Sequence, residues 1–299
     1  MKRWQVDGTL LLVVMMWGST FFVVHGATKL WNPIAFVALR FALASAALLP
    51  WALPGMRRWT RADWRAGLIL GLLLTAGYIT QTIGISLTTA SRSGFITGLN
   101  VVMVPLLGAL LWRTRVRGQV WLGVALAVAG LLVLSLDQAG GSARSSWWGD
   151  GLVLICAVTF AGHILAVGRW STGRSLVGIN FIQMATVAVL SAAASLLFED
   201  VTAAPSADVW WAAAYLGVIC TALLLAIQIV AQRYASPTHT AMIFVLEPVF
   251  AALFAAMFGG EHLTTWLIWG GLLMLLGIVL AELPALGRSR STLEQTVEG

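Results

Sequence analysis

Long apolar stretches separated by short polar connectors run along almost the whole chain. A helix needs about 20 apolar residues to cross the roughly 30 Å hydrocarbon core of a bilayer. The stretches are continuously apolar instead of alternating, which predicts membrane-spanning helices and not strands. Ten such spans are predicted, at residues 8–26, 33–53, 65–87, 93–112, 119–136, 148–169, 176–197, 209–231, 238–258 and 263–284.

The two halves of this pattern resemble each other at an offset of 143 to 147 residues. Each half holds five spans, so the second half would enter the membrane with the opposite polarity. Inverted repeats of this kind are typical of secondary transporters, which bind substrate between the repeats near the midplane. The matching positions are Asp7 and Asp150, Arg40 and Gln183, Ala90 and Ala235, Pro105 and Pro248, Gly123 and Gly270, and Gly130 and Gly277.

The pattern therefore predicts an all-α membrane protein in which ten transmembrane helices form two inverted five-helix repeats around a central cavity. The first repeat is expected at residues 1–137 and the second at 148–284. A loop at 138–147 would connect them, and residues 285–299 would form a polar C-terminal tail. All of these parts belong to a single membrane domain.

Composition supports the same class of protein. Hydrophobic residues make up 59% of the chain and charged residues 10%, whereas about a quarter of the residues in a soluble domain are charged. So few charges could not cover a soluble surface, so the bilayer is the expected environment. The 2 cysteines lie in apolar spans, which argues against a disulfide or a metal site. We expect no cofactor, no nucleic-acid partner and no need for more than a monomer, although the oligomeric state stays open.

The basic residues predict the orientation in the membrane. With the N-terminus in the cytoplasm, fourteen of the 18 Lys and Arg residues fall on the cytoplasmic side, three fall on the opposite side, and Arg40 lies within a span. This asymmetry follows the positive-inside rule and predicts that both termini are cytoplasmic. The three residues on the opposite side are Lys29, Arg92 and Arg144.

Short motifs occur in the same order as in a known family. They are Trp17-Gly18-Ser19-Thr20-Phe21, Leu39-Arg40-Phe41, Leu246-Glu247-Pro248, Gly260-Glu261-His262-Leu263-Thr264 and a helix with Gly270 and Gly277. With these motifs the chain resembles the EamA-type ten-helix carriers of the drug/metabolite transporter superfamily over residues 8–284. The resemblance implies a two-repeat bundle with a central cavity and with the fifth and tenth helices at its periphery. It also implies a bacterial inner-membrane exporter of amino acids or related metabolites.

Two ionisable residues clearly lie inside predicted spans, where a charge is costly and normally faces a cavity or a partner. Arg40 is either an anion-binding group for a substrate carboxylate or a structural arginine bonded to helix-end carbonyls or a fixed carboxylate. Glu247 either binds an ammonium group or carries a proton for transport, or it is a protonated or hydrogen-bonded packing residue. Pro248 is expected to kink the helix beside Glu247, and Pro105 marks the corresponding gating position in the first half.

Uncharged polar residues complete the candidate site because many of them share single helical faces. Such faces either line an aqueous cavity or hold neighbouring helices together by hydrogen bonds. His163 could in addition relay a proton, and Trp17 could stack on a substrate or pack in the core. The candidate substrate-binding residues are Trp17, Arg40, Tyr78, Gln81, Thr97, Asn100, His163, Gln183, Gln228 and Glu247.

The leading hypothesis is a secondary transporter or facilitator that exports small polar, zwitterionic metabolites, amino acids above all, by alternating access. An exporter of drugs or lipid-like compounds with the same fold is the alternative within transport. An intramembrane enzyme or a non-transporting scaffold is the alternative from another class. The sequence has no G-x-S-x-G elbow and no H-E-x-x-H motif, so we expect that the protein is not an enzyme.

Overall fold

The protein folds almost entirely into helices. Its computed structural model describes residues 3–112, 118–136, 147–170, 174–224, 227 and 243–294, and these ranges contain no β-strand. A π-helical segment, Tyr215–Leu223, directly continues helix α9 and is called the π segment below. The α-helices are α1 (Arg3–Thr28), α2 (Pro33–Met56), α3 (Arg61–Leu87), α4 (Ala90–Gly98), α5 (Asn100–Trp112), α6 (Gly118–Ser135), α7 (Trp147–Trp170), α8 (Leu176–Phe198), α9 (Ala207–Ala214), α10 (Glu247–Phe258) and α11 (Thr265–Glu294).

The helices agree in position with the predicted spans, with three interruptions inside spans. In the span predicted at 238–258, which is described from residue 243, Val245 and Leu246 form a turn before α10 begins. The span predicted at 93–112 is divided at Leu99 into α4 and α5. The span predicted at 209–231 begins as an α-helix and changes to the π segment, and part of it lies outside the described residues. Six helical stretches are long and apolar enough to cross a membrane, and shorter apolar helices accompany them. The described chain is therefore an all-helical membrane protein.

Polar side chains fix the starts of several helices. Thr60 and Asp63 form a reciprocal capping box at the start of α3, where Thr60 Oγ1 accepts from the Asp63 amide at 3.2 Å. Thr89, Ser175 and Ser206 accept in the same way at the starts of α4, α8 and α9. These caps satisfy backbone donors that have no partner within the helix, so each helix begins at a defined residue beside a short connector.

Glycines bring α6 and α11 into backbone contact along their length. A Cβ atom on Gly130 would lie 2.6 Å from the carbonyl oxygen of Gly270, and one on Gly123 would lie 2.5 Å from that of Gly277. Contacts this close are possible only because glycine has no side chain. These two helices therefore pack mainly against each other.

The remaining helices surround the middle of the bundle. Helix α2 packs on α8 and on the π segment, and α3 packs between α7 and α8. Helix α10 packs against both α1 and α4. The largest apolar core joins α1 and α2 with α9, the π segment and α10. This packing brings α2, α3 and the π segment together around Arg40.

Each end of the bundle is joined by specific contacts between the first and second halves of the chain. At the end where α1 meets α2, Trp31 Nε1 donates to the Ala203 carbonyl at 2.9 Å, and the Glu199 carboxylate accepts from two amides of the first turn of α2 at 2.8 Å. At the end where α2 meets α3, Arg174 lies 3.8 Å from Asp63. At each end of the bundle, a connector of the first half therefore contacts a connector of the second half.

Candidate functional site

Arg40 is the buried cation of the candidate site. It lies about two turns from the start of α2 and is only 6% exposed. Its Nη2 and Nε donate to the hydroxyl of Thr221 on the π segment, at 3.1 and 3.4 Å. Its guanidinium carbon lies 4.9 Å from the ring centre of Tyr78 and 5.4 Å from that of Phe41, within the range of cation–π attraction. Among the described residues, the side chain thus hydrogen-bonds to one hydroxyl and packs against two aromatic rings.

Arg40 has no carboxylate partner among the described residues, whose ion pairs are Arg92 with Asp150 and Arg174 with Asp63. Glu247 lies half-buried in the first turn of α10. Tyr78 packs on the Arg40 guanidinium and also interacts electrostatically with Glu247, while Arg40 and Glu247 form no salt bridge in the described part of the chain. A pair of separated, opposite charges in a buried region can bind a ligand that carries both charges.

Aromatic rings form one wall of this region. The Tyr78 ring meets the Phe41 ring edge-on, with centroids 4.6 Å apart, and it meets the Phe160 ring of α7 at 5.1 Å. Gly77 beside Tyr78 makes room for this arrangement, because a Cβ atom there would lie 2.4 Å from Phe160. The rings keep water from the faces of the Arg40 guanidinium and so strengthen its attraction for an anion.

A second polar group joins α7 to α8. His163 Nε2 lies 3.0 Å from Gln183 Oε1, and since an amide oxygen only accepts, the histidine donates. Gln183 Nε2 in turn donates to Asn180 Oδ1 at 2.6 Å. The three side chains form a hydrogen-bonded row in which the His163–Gln183 bond joins the two helices, as polar residues between membrane helices often do. His163 and Gln183 therefore belong to a hydrogen-bonded group that includes Asn180 and does not include Arg40.

A third pair joins α3 to α4. Gln81 Nε2 donates to Thr97 Oγ1 at 3.2 Å, and both side chains are buried. Asn100 lies half-buried at the first residue of α5, just after the interruption at Leu99. Tyr78 and Gln81 are one helical turn apart on α3, so the Gln81 pair adjoins the aromatic wall along the helix.

Trp17 also faces the π segment. Its Nε1 donates to the Cys220 carbonyl at 2.9 Å, and its ring meets Phe244 edge-on with centroids 5.4 Å apart. Trp17 and Arg40 therefore hold adjacent residues of the π segment, Cys220 and Thr221. Gln228, also predicted for the site, lies outside the described residues.

The two prolines predicted to gate the cavity occupy different places in their helices. Pro105 lies inside α5. Pro248 lies in the first turn of α10, and Val245 and Leu246 form a turn before it, so the helix begins there instead of bending. Pro248 packs on α4, because a Cβ atom on Gly98 would lie 2.8 Å from its ring.

A buried ion pair was not predicted from the sequence. We placed Arg92 in a polar connector, but α4 already begins at Ala90, capped by Thr89, and Arg92 is only 1% exposed. Its guanidinium pairs with the Asp150 carboxylate of α7 and donates to the Leu134 carbonyl of α6. Thr88 Oγ1 also donates to Asp150 Oδ1, at 2.8 Å. This network joins three helices outside the Arg40 region.

Thr221, which accepts from Arg40, and Phe160, which packs on Tyr78, were also not predicted for the site. Phe41 directly follows Arg40 in a quoted motif, but it was not assigned a role. Thr221 lies 181 residues from Arg40 in the chain, and Phe160 lies on a different helix again. An isolated threonine or phenylalanine in an apolar span carries no pattern that would single it out.

The chain matches one family along nearly its whole length. The model of the EamA-like transporter family matches residues 6–136 and again residues 147–283. An "uncharacterized transporter" of Archaeoglobus fulgidus is 31% identical over 282 residues, which cover 94% of this chain and 87% of the relative. The "uncharacterized inner membrane transporter YedA" of Escherichia coli K12 is 26% identical and covers 92% of this chain and 90% of its own.

Two further similarities concern function and fold. A "probable amino-acid metabolite efflux pump" of Escherichia coli K12 is 30% identical over 163 residues, which are 52% of this chain and 51% of the relative. A protein crystal structure with 21% sequence identity matches 92% of this chain and 96% of its own chain with a TM-score of 0.62, so the two share a fold.

Proposed function

Because the chain belongs to the EamA-like transporter family, we propose that it is a secondary transporter that exports small polar metabolites, amino acids in particular, across the bacterial inner membrane. One observation carries the choice of substrate: Arg40 is buried without a carboxylate partner among the described residues, and the Tyr78 ring on which it packs also interacts electrostatically with Glu247. The substrate carboxylate would bind the Arg40 guanidinium and the substrate ammonium group would bind Glu247. A relative named as a probable amino-acid metabolite efflux pump matches half of the chain and supports this substrate class.

The energetics favour a zwitterion over a neutral solute. A buried charge without a partner is costly, and a ligand of opposite charge removes that cost when it binds. A single anion would compensate Arg40 and leave Glu247, while an amino acid compensates both residues. Trp17, Gln81, Thr97, Asn100, His163, Gln183 and Gln228 remain proposed lining residues, which contact the rest of the substrate or support the helices that hold it.

We further propose the ten-helix architecture of two inverted repeats. The family model matches once in each half of the chain, which supports the repeat. Helix pairs that the repeat would make equivalent also pack in equivalent ways: α1 of the first half packs on α10 of the second, and α7 of the second half packs on α4 and α5 of the first. Arg40 comes from the first half and Glu247 from the second, so their site would lie between the repeats, as alternating access requires.

The proposal is tested by measuring amino-acid export from cells that overproduce the protein and are fed dipeptides. Arg40→Ala and Glu247→Gln should each lower the initial export rate about tenfold or more, because each removes a charge-assisted contact with the substrate. The amount of folded protein in the membrane is measured in parallel. Arg174→Ala removes a cation outside the site and serves as the control, with export close to that of the wild type. Normal export by both site variants would remove Arg40 and Glu247 from the mechanism, and unchanged export by overproducing cells would contradict the substrate class.

Export of hydrophobic compounds is the second candidate because the bundle has an apolar groove. The groove has a volume of about 170 Å³, lies between α4, α10 and α11, and is lined by apolar residues that include Phe95, Leu253 and Leu267. The same cells would then survive hydrophobic toxic compounds better than control cells, with no gain in amino-acid export. Protection that persists in Arg40→Ala would favour this candidate.

A further inference from the structure

The π segment supplies the side chain that holds Arg40. Thr221 Oγ1 donates to the Leu216 carbonyl at 2.7 Å, five residues earlier in the chain. A bond across five residues fits the wider turn of a π-helix, whereas a threonine in an α-helix bonds back three or four residues. Because the hydroxyl proton is used in this bond, the oxygen lone pairs face Arg40. Thr221 is thereby fixed as an acceptor for the guanidinium.

A glycine allows the π segment to approach Arg40 closely. A Cβ atom on Gly217 would lie 2.4 Å from the carbonyl oxygen of Arg40 and 3.3 Å from the amide nitrogen of Ala44. Any larger residue would therefore separate the π segment from α2 at the position of Arg40. The distance from Thr221 to the guanidinium depends on this contact.

The bonds to Thr221 occupy the edge of the guanidinium formed by Nε and Nη2, and they leave the edge formed by Nη1 and Nη2 available for a further bond. The hydroxyl oxygen accepts from Nε and Nη2. In the part of the chain that the structure describes, no group accepts a hydrogen bond from Nη1. The Phe41 and Tyr78 rings pack on the guanidinium and limit its rotation. An arginine binds a carboxylate with two parallel N–H groups, and the edge formed by Nη1 and Nη2 offers such a pair.

We propose that Thr221 is a positioning residue that fixes the Arg40 guanidinium so that its Nη1–Nη2 edge receives the carboxylate of the substrate. This inference rests on the proposed function and adds to it the part of the ligand that Arg40 recognises. It also gives the π segment a role, because an α-helical turn would direct the Thr221 hydroxyl elsewhere. Wide turns of this kind occur frequently at functional sites.

The test compares ligands with and without a carboxylate on the purified full-length protein. The wild type is first titrated with the twenty standard amino acids in a thermal-shift assay, since a bound ligand raises the unfolding temperature. The probe is the amino acid with the largest shift, together with its carboxamide, which keeps the ammonium group and the side chain but lacks the negative charge. Dissociation constants of both probes are then measured for each variant.

Thr221→Val keeps the shape of the side chain and removes the hydroxyl, so it should raise the dissociation constant of the amino acid about tenfold. The dissociation constant of the carboxamide should change less than about twofold, because that probe does not depend on the oriented guanidinium. Thr221→Ser is the matched control and should behave like the wild type. The ratio of the two dissociation constants is insensitive to a general loss of folded protein. It therefore distinguishes a loss of guanidinium positioning from a loss of protein stability.

Gly217→Ala provides a second variant that leaves the hydroxyl in place. By separating the π segment from α2, it should weaken amino-acid binding in the same selective way. The role of Thr221 would be overturned if Thr221→Val weakened the binding of both probes equally. It would also be overturned if Thr221→Val affected neither probe while Arg40→Ala abolished amino-acid binding. Both results would leave the proposed function standing. Amino-acid binding that Arg40→Ala leaves unchanged would instead overturn the proposed function.

Discussion

The Arg92–Asp150 network shows how a charged residue can be structural in a membrane protein. Asp150 receives bonds from Arg92 and Thr88, and Arg92 also donates to a backbone carbonyl, so both charges are compensated within the bundle. Arg40 differs because its protein acceptor in the described structure is a neutral hydroxyl. The two buried arginines therefore suit different roles, one holding helices together and one receiving a ligand.

Removing one partner of the Arg92–Asp150 pair should destabilise the fold strongly. Arg92→Leu leaves the Asp150 carboxylate buried without its counter-charge, and the expected loss is about 3–5 kcal/mol of unfolding free energy. The measurement is the unfolding midpoint of the purified protein in detergent. The double variant Arg92→Leu, Asp150→Leu should recover much of the loss because no charge is left unpaired.

Arg174→Ala is the control for this experiment. It breaks the pair with Asp63, in which the Arg174 side chain is 28% exposed and the charges are 3.8 Å apart. Such a pair contributes roughly 0–1 kcal/mol, so the midpoint should hardly move. Equal shifts in Arg92→Leu and Arg174→Ala would contradict the structural role of the buried pair.

The sequence singled out the charged part of the candidate site but not its surroundings. Arg40 and Glu247 stand out because an ionisable group within a span is expensive and therefore has a reason to be there. Arg92 was not recognised because a basic residue near a span end looks like part of a polar connector. The Thr221–Arg40 bond could not be predicted, since it depends on how two distant helices cross.

At the scale of the helices, the positions and lengths of the apolar stretches predicted where most of the described helices lie. Helix α8 covers Leu176–Phe198, and the predicted span at 176–197 differs by one residue. The interruption at Leu99 and the change to the π segment at Tyr215 were not predicted. Both lie within continuously apolar stretches, so the hydrophobicity pattern does not distinguish them from an uninterrupted α-helix.

The glycine contact between α6 and α11 gives a prediction for helix packing. In Gly130→Ala, the new Cβ atom would lie 2.6 Å from the Gly270 carbonyl oxygen, and the two backbones must move apart. Such overpacking costs about 1–3 kcal/mol and should lower the unfolding midpoint in detergent. Gly151→Ala is the matched control within α7, because its Cβ atom would have nothing within 4 Å. Alanine is more favourable than glycine inside a helix by up to about 1 kcal/mol, so Gly151→Ala should not lower the unfolding midpoint. A similar drop of the midpoint in both variants would contradict the close packing of α6 on α11.

For the whole molecule, the contacts at the two ends bear directly on the inverted repeat. Leu30 and Ser175 are 145 residues apart, as are Arg58 and Ala203. Leu30 precedes Trp31, which contacts Ala203, while Arg58 and Ser175 lie at the opposite end beside the Asp63–Arg174 pair. Residues that the proposed repeat would make equivalent thus lie at opposite ends of the bundle. An inverted repeat requires this relationship, and a direct repeat would place each pair at the same end.

Labelling of single cysteines in intact cells tests both the inversion and the orientation. Leu30, Arg58, Ser175 and Ala203 are exposed, so a cysteine at each position should react with a maleimide that cannot cross the membrane. With cytoplasmic termini, Leu30→Cys and Ala203→Cys should react in intact cells, whereas Arg58→Cys and Ser175→Cys should react only after permeabilisation. The native Cys156 and Cys220 are buried, so the wild type gives the background. The reverse pattern would keep the inverted repeat and overturn the orientation. Reaction of positions 30 and 175 from the same side would overturn the repeat itself, because the two halves would then cross the membrane in the same direction.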